Sequence, residues 1–273
     1  MKFHEPVVGY IRVLTRKLPW IYKGLGKLYH EFLYRKERLY FRRKYPTVLS
    51  IRYDRAMLED IEGKGFHSQY GQDFFLVENN LVPTSAGTFI DVGCNNPINT
   101  SNSCFLELCR GFKGIAIDPL GDFREVWAND RPGTVFVNSF VSDSDDDLDF
   151  MEVSGEMGWE DMLSGAADSV RLSGKSVTTK TSKIRPRRLQ DILLDNNVGF
   201  DADVLFVDVE GHELNVLKSA DWSQNKPGVI VIENTGPLKT QEELRRFIEE
   251  KGYTFFARID IADDVWVSNL IST

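Results

Sequence analysis

The sequence predicts an α/β protein built on a doubly wound, mostly parallel sheet of seven strands. An antiparallel C-terminal hairpin closes that sheet, and a basic helical N-terminal extension precedes it. Three observations carry this expectation. Short apolar runs of buried-strand type recur from residue 88 onward, stretches of helical periodicity separate them, and the last two β-rich runs follow each other with no helix between. Strands alternating with helices of this length form βαβ units and hence a parallel sheet.

The five parallel runs fall at residues 88–92, 114–118, 134–138, 203–208 and 228–233. Before the fourth, residues 187–197 set Leu189, Ile192 and Leu193 on one helical face, with Pro186 ahead and Gly199 behind. Thr240-Gln-Glu-Glu243 reads as a capping box, in which hydroxyl and carboxylate each satisfy the other residue's backbone N–H. The helix it opens carries Leu244, Phe247 and Ile248 and stops at Gly252. Residues 253–259 and 265–268 make the terminal hairpin. Residues 143–183 break the alternation: they are acidic, then rich in Ser, Gly and Thr, and include Met157, Trp159 and Met162. An insertion at the carboxyl end of a strand lies on the ligand-binding side of such a sheet, which suits a lid or an acceptor-binding segment. A plain surface excursion is the competing reading.

The 273 residues are 42% hydrophobic and 27% charged, which excludes a disordered or collagen-like chain. Cys94, Cys104 and Cys109 match neither a disulfide framework nor a zinc-site spacing, so a reducing, cytoplasmic setting is expected. Charge is distributed unevenly. Residues 1–55 hold 14 Lys and Arg against 4 Asp and Glu, whereas the remainder holds 19 against 37. The expected division is therefore a basic aromatic extension over 1–60 and a single α/β domain over 61–273. Within the extension, residues 27–44 read as an amphipathic helix with Leu28, Phe32, Leu39 and Tyr40 among basic residues. Such a helix suits peripheral contact with an anionic membrane through residues 10–45, or packing on the chain's own acidic body. Nucleic acid is not the expected partner, because the overall pI near 5.2 is wrong for a dedicated binder. No apolar run approaches the roughly 18 residues of a membrane span.

The chemistry sits at strand ends. The first strand runs through Asp91 into Gly93-Cys-Asn95-Asn-Pro97. A dinucleotide site would want G-x-G-x-x-G here, and only Gly93 is present. Asn95 tolerates the left-handed geometry such a turn needs. Asp91 would repel pyrophosphate, so a ligand with a cationic end and no phosphate fits better. Asp118 ends the second strand, where an acid can bind the hydroxyls of a ribose. S-adenosylmethionine meets both conditions. The fourth strand ends in Asp208-Val-Glu210-Gly-His212-Glu213, and Glu233 ends the fifth. Four carboxylates and an imidazole at neighbouring strand ends exceed what sheet packing requires, and Asp208, Glu210 and His212 form the candidate catalytic group.

Several of these stretches together resemble one family. Ser68-Gln-Tyr-Gly-Gln-Asp73, the turn after residue 89 with Ser101-Asn102 behind it, residues 111–119, Asp208–Glu213 with Val216-Leu217, and Ile232-Glu233 are similar to the FkbM methyltransferases, from about residue 66 to 267. The resemblance implies a class I, Rossmann-like methyltransferase fold and S-adenosyl-L-methionine as cofactor. It also implies methylation of a hydroxyl on a sugar, glycan or related small molecule. Carried over by position, Asp91 and Gly93 would lie at the methionine end of the cofactor and Asp118 at its ribose. Gln69, Gln72 and Asp73 would close over the cofactor or support the first strand, and Asn95 and Asp143 complete the cofactor-binding candidates. Pro97 departs from the glycine that many methyltransferases carry in this loop. Methylating an alcohol requires removal of its proton, so direct base catalysis by the Asp208, Glu210 and His212 group is expected without a metal. Were a divalent metal used instead, Asp208, Glu210 and Glu233 are the oxygen ligands available. An NAD-linked oxidoreductase and a non-catalytic binding module recruited by its basic head are the alternatives.

Overall fold

The computed structural model describes residues 35–155, 160–170, 172, 177–223 and 225–270. The chain divides into two compact units, Met1–Val48 and Leu49–Thr273. In the first, residues 35–44 are helical, and the Phe41 and Tyr45 rings pack 5.3 Å apart at the helix end. The start of the expected helix at residue 27 lies outside the described residues, as do Met157 and Trp159. No described helix is long and apolar enough to cross a membrane.

The second unit opens with strand β1 (Leu49–Ile51), helix α1 (Arg55–Glu62) and helix α2 (Gln72–Glu78). Then β2 (Thr88–Val92), α3 (Cys104–Arg110), β3 (Lys113–Asp118), α4 (Arg124–Asp130) and β4 (Thr134–Asn138) alternate as predicted. The insertion supplies β5 (Leu148–Ser154), β6 (Gly165–Ala166) and β7 (Thr178–Ile184). Alternation resumes with α5 (Leu189–Asp195), β8 (Val204–Val207), α6 (Glu213–Lys218), β9 (Val229–Glu233) and α7 (Leu238–Glu250). The hairpin β10 (Tyr253–Ile259) and β11 (Asp263–Ser268) ends the fold.

The main sheet has the order β1-β10-β11-β9-β8-β2-β3-β4. Strands β4, β3, β2, β8 and β9 are parallel, and β11 runs antiparallel to both β9 and β10. The sheet has eight strands, one more than expected, because Leu49–Ile51 adds in parallel to the edge strand β10. Three residues show no period, and so a strand this short carries no sequence signal. The compact unit accordingly starts before the expected boundary at residue 60. The central strands are apolar because both faces are covered: Phe89, Ile90, Leu205, Phe206, Val229 and Ile230 are wholly buried.

One local expectation is corrected. Helix α7 begins at Leu238 with Pro237 as its cap, so Thr240 sits within the first turn and makes no capping box. Proline has no N–H to satisfy and a fixed φ, here −64°, which starts the helix earlier than the Thr-x-x-Glu pattern suggests. The described part of residues 143–183 contains a small antiparallel sheet. Strands β5 and β7 pair antiparallel over their full length, from Leu148 opposite Ile184 to Ser154 opposite Thr178, with β6 on the other edge of β5. Phe150 and Ala166 bury one side of this small sheet against Phe140. Strand β7 is mostly exposed, so its Thr and Lys residues hide the strand from a hydrophobic-pattern reading.

Candidate functional site

From β2 the chain continues to β3 on one side, and from β8 it continues to β9 on the other. That reversal leaves a crevice outside the carboxyl ends of β2 and β8, where open α/β sheets bind ligands. A cleft does open there. Its walls include Asp91 from the end of β2, Gly93, Cys94 and Asn95 from the turn after it, Asp208 from the end of β8, Gln69 from the loop before α2 and Gln72 from its first turn.

The turn after β2 is built for close backbone approach. Gly93 has φ +82°, and a Cβ added there would lie 1.7 Å from the Asp208 carbonyl oxygen. Glycine at this position therefore locks the turn against the end of β8, a tighter role than loop flexibility. Asn95 follows with φ 42°, the left-handed conformation expected of it. Its N–H donates to Asp118 Oδ2 at 3.0 Å, and its carbonyl accepts from the buried Trp127 indole at 2.8 Å. Asp118 Oδ1 accepts from Leu120 N–H at 2.8 Å. The two strand-end acids are thus joined through the turn between them. Asp91 accepts from the Ser103 hydroxyl at 2.6 Å. Burial pushes the Asp91 carboxyl up to about 6, against the Ser103 hydrogen bond and Arg131. Burial likewise pushes Asp118 up to about 6, against its two backbone hydrogen bonds.

On the opposite wall, the β8–α6 turn holds two left-handed residues, Glu210 at φ 55° and Gly211 at φ 99°. Glu213 Oε1 ties that turn by accepting from Gly211 N–H at 2.8 Å and Val209 N–H at 3.3 Å. Asp208 is half-buried on the cleft wall. Burial, then Glu210, Asp263, Glu213 and Asp91, hold its carboxyl well above the usual range. Glu233 is likewise raised by burial and by Asp208, Glu213, Glu210 and Asp263. Asp263, paired in register with Glu233, is pushed up to about 7, chiefly by burial. Gln72 Nε2 donates to Asp263 at 2.8 Å, joining this acid layer to the cleft. Burial and four neighbouring acids push the Tyr70 phenol up to about 12.

Other expected site residues lie elsewhere. His212 is buried with Nε2 3.0 Å from Ser142 Oγ and its ring against Phe140, so it faces the end of β4 and does not line the cleft. Burial lowers its pKa. Asp143 accepts from Asn215 at 2.8 Å and is also off the cleft. Asp73 is wholly buried and accepts from the N–H groups of His67 and Phe74 and from Ser68, which fixes the loop that carries Gln69 and Gln72. Among the described residues no three His, Cys, Asp or Glu side chains converge to hold a metal ion, Asp208, Glu210 and Glu233 included. The structure adds residues to which the sequence assigns no site role. Asn102 and Met162 line the cleft, and Asp161 receives a 3.4 Å hydrogen bond from Asn95. The insertion also reaches the β8–α6 turn: a Cβ at Gly165 would lie 3.4 Å from Glu210 Cβ.

The family model of the Methyltransferase FkbM domain matches residues 91–255, from the acid of the first strand end to the hairpin. The chain belongs to the FkbM methyltransferase family. No curated protein matches the sequence. Among solved structures, a TehB-like SAM-dependent methyltransferase from Corynebacterium glutamicum is similar at 11% identity and a TM-score of 0.38. That match covers 78% of this chain and 94% of the other. This FkbM protein is an S-adenosylmethionine-dependent methyltransferase.

The donor set fits that cofactor. Its sulfonium and ammonium are cationic, and the cleft offers Asp91 and Asp208 with no Lys, Arg or His among its described lining residues. Asn102 Oδ1 is enclosed without a hydrogen-bond partner among the described residues, so it is free to accept from a ligand. Asp118, at the second strand end, is not in this lining: it is buried, and its two carboxylate oxygens accept the backbone N–H groups of Asn95 and Leu120. Asp91, Asp118 and Asp263 also predict how stability depends on pH. Their folded values of about 6, 6 and 7 stand above the unfolded carboxylate value. The native state therefore binds more protons than the unfolded state across that window. The contribution is complete below about pH 4 and is lost as pH rises through about 6 to 7. The Tm of the ligand-free enzyme is expected to fall between about pH 5 and pH 8 in thermal scans; a Tm that rises there would contradict the buried acids.

Proposed function

We propose that this methyltransferase acts on the hydroxyl oxygen of a sugar, glycan or related small molecule, with Asp208 taking the hydroxyl proton. One observation carries the reading. At the cleft wall stands a carboxylate whose proton affinity is raised by burial and by an acid layer behind it, with no cation beside it in the lining. When bound, S-adenosylmethionine supplies the electrophilic methyl group. Asp91 and Asn95 would hold its amino-acid end and the turn over it, and Asp118 its ribose. An alcohol is a weak nucleophile until its proton leaves, and a carboxylate held well above its usual range is a stronger base for that task than an ordinary one. Glu210, next along the turn, and Glu213 behind it supply negative charge that strengthens Asp208 as a base. The acidic wall disfavours a phosphorylated acceptor through like-charge repulsion.

The reading is tested with methyl-labelled S-adenosylmethionine and two matched acceptor sets: neutral hexoses or amino sugars, and their phosphate esters. Label is expected in base-stable methyl ethers of the first set. Label confined to the phosphate esters, or bound to nitrogen or carbon, would overturn it.

A further inference from the structure

Arg131 is wholly buried behind the cleft, and all five of its N–H donors are used. Nε donates to Glu107 at 2.5 Å, and Nη1 to the Pro97 carbonyl at 3.0 Å and Ser101 Oγ at 3.3 Å. Nη2 donates to the Ser103 carbonyl at 3.3 Å and Ser103 Oγ at 3.2 Å. The guanidinium also lies 4.8 Å from the Trp127 ring and 5.5 Å from the Phe89 ring. Its fork thus grips the two residues on either side of Asn102. Ser103 in turn donates to Asp91. Asn102 itself lines the cleft, and its side-chain carbonyl oxygen is buried with no partner among the described residues.

We propose that Asn102 binds the ammonium group at the amino-acid end of S-adenosylmethionine through its side-chain carbonyl, and that Arg131 is the positioning residue that aims it. A buried carbonyl without a donor carries a desolvation cost, which a ligand that brings a donor relieves. The neighbouring charge favours a cation: Asp91 stands one hydroxyl away, through Ser103, no basic side chain lines the cleft, and the Arg131 charge behind the wall is paired with Glu107. A planar, five-donor fork fixes both flanking residues at once, which a lysine ammonium in the same space does not do. The inference rests on the cofactor reading of the cleft and does not depend on which acceptor is methylated.

The test is calorimetric and needs no turnover. The full chain is titrated with S-adenosylmethionine and with 5′-methylthioadenosine, which keeps the adenosine and sulfur but lacks the amino-acid portion. Asn102→Ala is expected to weaken S-adenosylmethionine about 10- to 100-fold, the loss of one charge-assisted hydrogen bond, and to leave methylthioadenosine unchanged. Asn102→Asp restores an acceptor and is expected to recover the affinity. Arg131→Lys should reproduce the Asn102→Ala pattern. Ser101→Ala, which removes a single acceptor of the fork, replaces it should Arg131→Lys not fold. Equal losses for both ligands, no loss in Asn102→Ala, or abolished binding in Asn102→Asp would each overturn the proposal. If the wild type bound neither ligand, the cofactor site would fall with it. If it bound S-adenosylmethionine but methylated no hydroxyl, only the acceptor reading would fall.

Discussion

Asp208→Asn is expected to lower methyl transfer by about 10²- to 10⁴-fold, the usual contribution of a general base, with a much smaller loss of S-adenosylmethionine affinity because Asp91 still faces the cation. The substitution keeps size and backbone. Asp208 N–H donates to the Val92 carbonyl at 2.9 Å, and the Asp208 carbonyl faces Gly93; neither contact involves the carboxylate. What is lost is the proton-accepting group on the cleft wall. A carboxyl held above its usual range is a base only once deprotonated, so wild-type turnover should climb on the acid side of its pH profile. That limb should be absent in the variant. The measurement is a pH–rate profile with the best acceptor of the sugar set, alongside calorimetry. Full activity in Asp208→Asn would remove Asp208 from the mechanism.

The second large effect is on stability, in the strand that pairs with β9. Asp264 is wholly buried between two buried arginines. It accepts from Arg245 Nε at 2.8 Å, from Arg258 Nη1 at 2.6 Å and from Asn234 at 2.5 Å. One carboxylate thus joins α7, β10, β11 and the end of β9. Asp264→Ala leaves guanidinium charge in the core without its main counterion, at a cost of about 3–5 kcal/mol. For a body of this size that is a Tm drop of roughly 6–20 °C. Arg258 also lowers the proton affinity of Asp263, the acid that Gln72 links to the cleft. The damage should therefore reach cofactor binding as well as the melting curve. A Tm change of only a degree or two would show that the network is dispensable.

The strand-end acids are legible in the sequence because each closes an apolar run. Asp91, Asp118, Asp208 and Glu233 need only the alternation rule to be placed on one side of the sheet. Glycine and asparagine in the first turn are legible for a related reason, since few residues accept φ values of +82° and 42°. Arg131 is not legible. It sits beside Pro132, and its four partners, Pro97, Ser101, Ser103 and Glu107, are distant in sequence, so no local pattern marks it. His212 misleads in the opposite direction. It is adjacent to the acids in sequence, yet the helix it caps turns its ring toward Ser142. The β5–β7 sheet escapes notice because its strands are held by backbone pairing and cross-strand charges such as Lys183 with Asp149, at 3.0 Å, more than by an apolar face.

The indole of Trp127 gives the molecule an optical reporter of its own. Its N–H is bound to the carbonyl of Asn95, and its ring lies against Arg131 and Phe136, so it reads the turn that faces the ligand. Trp222 and Trp266 are packed instead among Phe200, Phe247, Tyr253 and Phe255. Emission that shifts on adding the cofactor, and that a Trp127→Phe chain no longer shows, would let occupancy of the turn be followed in real time without any label.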